Sequence, residues 1–132
     1  MGLKLLIVDD SELIRNSLQS LLHDITGLES IATAATLSQA IERVRSSWPA
    51  MLVLDLHLAD GNAISRIGLM KKLVPTLQIA VLTNDASEFN RIRCMQAGAN
   101  WFFDKSIEFE DLIDVIRQSG LFTLNAEHRK LS

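Results

Sequence analysis

Five short apolar runs alternate with stretches of helical periodicity along the chain, and this alternation limits the fold more than any other feature. Leu3–Val8 is apolar except for Lys4, and Met51–Leu54 and Leu77–Leu82 are apolar at all but one position, Gln78. Runs of this kind suit strands buried on both faces, as in parallel sheets. Ser30–Ala35 is a weaker strand candidate built from small residues, and Ala99–Phe103 is the last. Between them, Ser11–His23 carries Ile14, Leu18, Leu21 and Leu22 on one stripe. Thr36 and Gln39 form a capping box, and the helix they open places Leu37, Ala40, Ile41 and Val44 at i, i+3, i+4 and i+7. Asn62–Leu73 reads as a helix weakened by Gly68, and Glu88–Ala97 as one closed by Gly98. Phe109, Leu112, Ile113 and Ile116 make the final stripe, and Leu121–Ser132 reads as a tail without a clear period.

Strand–helix alternation of this kind predicts an α/β architecture, a doubly wound parallel sheet with helices on both faces. A length of 132 residues suits one domain, and Cys94 alone permits neither an internal disulfide nor a cysteine metal cage. The net charge of −3 lacks the basic surplus of a nucleic-acid binder. No apolar run reaches the ~18 residues of a membrane span, so a cytoplasmic location with no membrane contact is the expectation.

In such sheets ligands sit beyond the carboxyl ends of the strands. The residues there are Asp9 and Asp10, then Asp55, Thr83 and Lys105. Each alone has an ordinary reading: a helix cap, a polar strand end, a turn residue, a solvated charge. Together they put three carboxylates, a hydroxyl and an ammonium at one sheet edge. Like charges at that spacing repel unless a cation compensates. Three carboxylates and one lysine sum to about −2, which one Mg²⁺ balances. A carboxylate is also a nucleophile able to carry a phosphoryl group.

The ordered set Leu5-Leu6-Ile7-Val8-Asp9-Asp10, Leu52-Val53-Leu54-Asp55-Leu56, Leu82-Thr83 and Ala97-Gly98-Ala99-Asn100 through Phe102-Phe103-Asp104-Lys105 resembles the receiver domain of two-component response regulators. The resemblance implies a flavodoxin-like sheet of five strands in the order 2-1-3-4-5 with five helices. It implies a receiver domain over residues 1–120, with 121–132 as a C-terminal tail. Asp55 would accept a phosphoryl group from a sensor histidine kinase or a histidine phosphotransfer protein. Asp9, Asp10, Asp55 and the backbone carbonyl of His57 would hold Mg²⁺, with Mn²⁺ as a substitute. Lys105 would pair with phosphoryl oxygens, and Thr83 and Phe102 would form the switch. The output partner would be another protein, with a homodimer among the arrangements the family allows. Catalysis would be limited to the chain's own phosphorylation and dephosphorylation.

The chain departs from the pattern at four places. Ser106 follows Lys105 where the family usually has a proline after a cis bond. Asn84 is larger than the usual residue there, Ala59 stands where proline is common, and Trp101 stands where a small residue is frequent. His57 and Asp85 lie two residues after Asp55 and Thr83, positions that tend in the family to tune the phosphoryl lifetime. Asp85 is thus expected either to influence the attacking water or to cap a helix with Glu88 three residues on. His23 and His128 read as ordinary histidines, and Lys71-Lys72 as a solvated face. Three rival readings are a receiver-like scaffold that is not phosphorylated, a phosphatase of the haloacid-dehalogenase type, and a flavin-binding module. His57 replaces the second acid the phosphatase requires, and Asp9-Asp10 would repel a flavin phosphate.

Overall fold

The computed structural model describes residues 2–131; the side chains of residues 127–131 lie outside the description, and His128 with them. The elements in chain order are β1 Leu3–Val8, α1 Glu12–Leu22, β2 Leu28–Ala34, α2 Leu37–Ser47, β3 Met51–Leu54, β4 His57–Leu58, β5 Gly61–Asn62, α3 Ile64–Leu73, β6 Gln78–Thr83, α4 Glu88–Ala97, β7 Trp101–Asp104 and α5 Phe109–Leu131. β4 and β5 form a small antiparallel hairpin after the third long strand, which the apolar pattern does not foreshadow. The five long strands form one parallel sheet in the order β2-β1-β3-β6-β7, the flavodoxin-like arrangement expected.

The continuous apolar runs are explained by two cores. Leu6, Val8, Leu52, Leu54, Ile79 and Val81 point to the face covered by α2, α3 and α4. Leu5, Ile7, Met51, Val53, Ala80 and Leu82 point to the face covered by α1 and α5. Successive strand residues therefore enter opposite cores, and each fully buried side chain of this size contributes ~1.5–3 kcal/mol. β2, at the sheet edge, is only partly buried, in keeping with its weak sequence signal.

Local signals hold at the helix starts. Ser11 and Thr36 cap α1 and α2, accepting from Ile14 N and Gln39 N. Asp85 does not cap α4, contrary to the capping alternative. Ser87 does, accepting from Asn90 N at 3.1 Å. Past Leu121, where the sequence shows no clear period, the chain continues α5 as helix to Leu131. Leu121, Phe122 and Leu124 are exposed there, so among the described side chains this stretch carries no buried apolar stripe for a sequence pattern to register.

Candidate functional site

Parallel register builds the site. Val8 pairs with Leu54 across β1 and β3, so the next residues, Asp9 and Asp55, leave the sheet side by side. The Asp55 amide donates to the Val8 carbonyl at 3.0 Å, and the Asp9 amide to the Ala34 carbonyl at 3.1 Å. Thr83 pairs with Asp104 across β6 and β7, which delivers Lys105 to the same edge. The Lys105 amide donates to the Thr83 carbonyl at 2.9 Å.

Lys105 Nζ lies 2.6 Å from Asp9 Oδ2 and 3.1 Å from Asp55 Oδ2. The lysine and both carboxylates are almost wholly buried, whereas Asp10 is exposed. Burial alone would pull the Lys105 pKa down. The hydrogen bond to Asp9 and the charges of Asp55 and Asp9 outweigh it, and the ammonium is held above its ordinary value. Asp9 Oδ1 also accepts from Ser11 N at 2.9 Å. Thr83 is buried at the cleft, and its hydroxyl accepts from Asp85 N at 3.1 Å.

One oxygen each from Asp9, Asp10 and Asp55 lies within 4.8 Å of the others. Opposite ligands of a hexacoordinate Mg²⁺ at ~2.1 Å stand about 4.2 Å apart, so this spacing suits such an ion. The donor set suits it too: hard oxygens, with a charge surplus that the single ammonium does not cancel. Beside them a cleft of about 410 Å³ is lined by Asp55, His57, Thr83, Asn84 and Asp85. A larger one, about 510 Å³, lies at the opposite sheet edge around Leu3, Met51, Trp101 and Phe122. The charges mark the first as the chemical site; the second has none in its lining.

All five residues singled out at the strand ends thus share one edge. Asn84 is exposed at the rim of the cleft. There is no cis peptide among the described residues, and the Lys105–Ser106 bond is trans. The Asp104 carboxylate instead organises this turn, accepting from Ser106 N at 2.9 Å and from its hydroxyl at 2.6 Å. Those bonds hold the Asp104 carboxyl below its ordinary pKa. Phe102 is half-buried against the α2–α4 core.

Residues 5–117 match the response regulator receiver domain. The chain belongs to that family. Two-component signalling is accordingly the setting of this receiver domain. It is 30% identical over 117 residues, 89% of this chain and 54% of the relative, to the DNA-binding transcriptional activator DevR/DosR of Mycobacterium tuberculosis (strain ATCC 25618 / H37Rv). The receiver spans about half the length of the curated relatives it matches. A CheY-like response regulator receiver domain protein from Methanospirillum hungatei JF-1 has the same fold, with a TM-score of 0.83 at 24% identity over 96% of this chain and 99% of that one. So does a response regulator protein from Burkholderia pseudomallei, crystallised with a phosphorylated aspartic acid, calcium ion and citrate, at a TM-score of 0.79 and 21% identity over 98% and 75% of the two chains.

Sequence reasoning missed three contacts around this receiver site. The Arg15 guanidinium donates to the Asp9 carbonyl at 2.7 Å and so braces the turn that carries both aspartates. The His57 ring meets Asp85 Oδ2 at 2.6 Å, closing the rim between two loops 28 residues apart. That hydrogen bond is the main reason the Asp85 carboxyl sits below its ordinary pKa. The Asp60 carboxylate accepts from Leu37 N and Ser38 N at the start of α2. Partners at such separations leave no local pattern; only a charged or polar residue at a loop position hints at them.

Proposed function

We propose that this receiver is a phosphoacceptor switch. A carboxylate oxygen of Asp55 attacks the phosphorus of a phosphohistidine on a sensor histidine kinase or a histidine phosphotransfer protein. The P–N bond breaks, the imidazole nitrogen takes a proton, and Asp55 becomes an acyl phosphate. Asp9, Asp10, Asp55 and the His57 carbonyl would hold the Mg²⁺, or Mn²⁺ in its place, which neutralises phosphoryl charge when bound. Lys105 contributes a fixed positive charge beside the Asp55 carboxylate. The Thr83 hydroxyl, which accepts from the Asp85 amide, donates its proton in a hydrogen bond to a phosphoryl oxygen, and Phe102 turns inward as the hydroxyl moves. The receiver unit comprises residues 1–120 and acts by binding another protein, or a second copy, in the cytoplasm. No helix among the described residues is long and apolar enough to cross a membrane. Asp85 orients or restrains the water that later hydrolyses the acyl phosphate.

The observation that supports this reading is the cluster of three carboxylates at the carboxyl edge of the sheet, two of them paired with the Lys105 ammonium. The test is intact-mass analysis after incubation with Mg²⁺ and acetyl phosphate. One phosphoryl group is expected on the wild type, none on Asp55→Asn, and less when Mg²⁺ is chelated. A wild-type protein that gains nothing refutes the proposal and favours an unphosphorylated scaffold. Repeated turnover of phosphodonor by Asp55→Asn would refute it in favour of an enzyme. For Asp85, the decay of the phosphorylated protein is compared in wild type and Asp85→Ala; equal rates remove that role.

A further inference from the structure

The loop after Asp55 is not held by the sheet. Between β3 and α3 the chain makes the β4–β5 hairpin, with His57 opposite Asn62 and Leu58 opposite Gly61. Its base is closed by the Ala63 amide on the Leu56 carbonyl at 2.8 Å and by the Ile64 amide on Asn62 Oδ1 at 2.9 Å. Its tip is fastened to a different part of the molecule. Asp60 Oδ1 accepts from Leu37 N at 2.8 Å, and Asp60 Oδ2 from Ser38 N at 3.0 Å.

Those amides belong to the first turn of α2, where backbone donors lack partners within the helix. Thr36 satisfies the third, from Gln39, at 3.1 Å. The cap is therefore shared: a local residue takes one donor, and a carboxylate 22 to 23 positions away takes two. The helix start also favours a negative charge. The bonds from Leu37 and then Ser38 hold the Asp60 carboxyl below its ordinary pKa, so it remains a double acceptor through the neutral range. Gly61, at φ 143°, lets the hairpin turn here with Leu37 Cδ1 close by.

We propose that Asp60 is a positioning residue for the divalent cation, acting through the hairpin to fix the His57 carbonyl at the site. This rests on the metal-dependent reading above. Asp60 touches neither the carboxylates nor the cleft; it restrains the segment that begins two residues after Asp55. Groups that orient a ligand from behind typically change metal affinity by ~10–100-fold when removed, and one anchor of several belongs at the lower end. Coupling of this kind is reciprocal, so cation binding must in turn steady the start of α2.

The test is calorimetric titration of MgCl₂ into wild type, Asp60→Ala, Asp60→Asn and Thr36→Ala, with amide hydrogen exchange of residues 56–63. Asp60→Ala is expected to raise the Mg²⁺ dissociation constant ~10-fold and to speed exchange in the hairpin. Asp60→Asn, with one acceptor oxygen in place of two, falls between. Thr36→Ala weakens the same helix start without touching the hairpin and leaves Mg²⁺ affinity within about twofold of wild type. Unchanged affinity in Asp60→Ala overturns the proposal, as does an equal loss in Thr36→Ala, which would reduce Asp60 to a helix cap. Wild type that binds no Mg²⁺ overturns it as well. If Mg²⁺ binds and the Asp60 pattern holds but acetyl phosphate adds nothing, the phosphoacceptor reading fails and the tie stands.

Discussion

Replacing Lys105 by methionine removes the ammonium that pairs with Asp9 and Asp55 while keeping a side chain of similar length. Nζ sits 2.6 Å from Asp9 and 3.1 Å from Asp55, and the lysine side chain is 10% exposed. Removing one partner of a buried ion pair costs ~3–5 kcal/mol because the other charge is left unpaired. Here the carboxylates border an open cleft and Asp10 is in solvent, so water recovers part of that. A net loss of about 2–3 kcal/mol follows. At ~3–5 °C per kcal/mol for a chain of this size, the metal-free variant should melt roughly 6–15 °C below wild type. Mg²⁺ changes the comparison. At ten times its dissociation constant it stabilises wild type by about 1.4 kcal/mol, and it stabilises the more negative pocket of Lys105→Met by more. Thermal melts in chelator and in Mg²⁺ should therefore show the gap narrowing with metal. The pH dependence has a definite sign. Because the Lys105 pKa is raised, its stabilisation is fully present below the ordinary value of 10.5 and is lost only as pH climbs through the raised one. The two melting curves should thus converge only in strong alkali. A metal-free variant that melts at or above wild type would refute the reasoning, since it would mean the carboxylates do not repel one another in the fold.

Two glycines should respond to alanine with opposite signs in denaturant melts. At Gly27, φ is +88° and an added Cβ would lie 2.0 Å from the Gly120 carbonyl oxygen, so Gly27→Ala should cost ~3 kcal/mol or more. At Gly68, inside α3, a Cβ meets nothing within 4 Å, and Gly68→Ala should gain ~0.5–1 kcal/mol; equal effects would contradict both. Trp48 closes α2 in the left-handed region at φ 50° while 62% exposed, so Trp48→Gly should stabilise by about 0.5 kcal/mol, and a clear loss would show that the indole packs better than its exposure indicates. Burial pushes the Cys94 thiol up to about 11, against a smaller opposing effect of Arg93. It should stay unmodified by an aromatic disulfide reagent at pH 8 until guanidinium unfolds the chain; labelling within minutes in the native state would count against its burial.

The sheet was legible because its strands are buried on both faces. Leu5 and Leu6, or Leu52 and Val53, enter different cores, so the apolar signal is continuous and the polar residue ending each run marks the sheet edge. The carboxylates, the threonine and the lysine could be grouped for the same reason: parallel register converts neighbouring strand ends into neighbours in space. The loops gave no such handle. In Asn84-Asp85-Ala86-Ser87-Glu88 both Asp85 and Ser87 are acceptable helix caps, and the local sequence does not choose between them. His57 chooses: its ring engages the Asp85 carboxylate, leaving Ser87 to cap α4. Asp60 is the same case reversed, a turn residue by its neighbours and half of a helix cap by its partners. Both choices are made by contacts more than twenty residues apart, and both lie on the loops that border the acidic pocket. The chain thus encodes the framework in patterns that each segment carries alone. It encodes the fine geometry of the site in side chains whose roles exist only once that framework has assembled, and substitutions at Asp60 and Asp85 should accordingly alter the site without altering the fold.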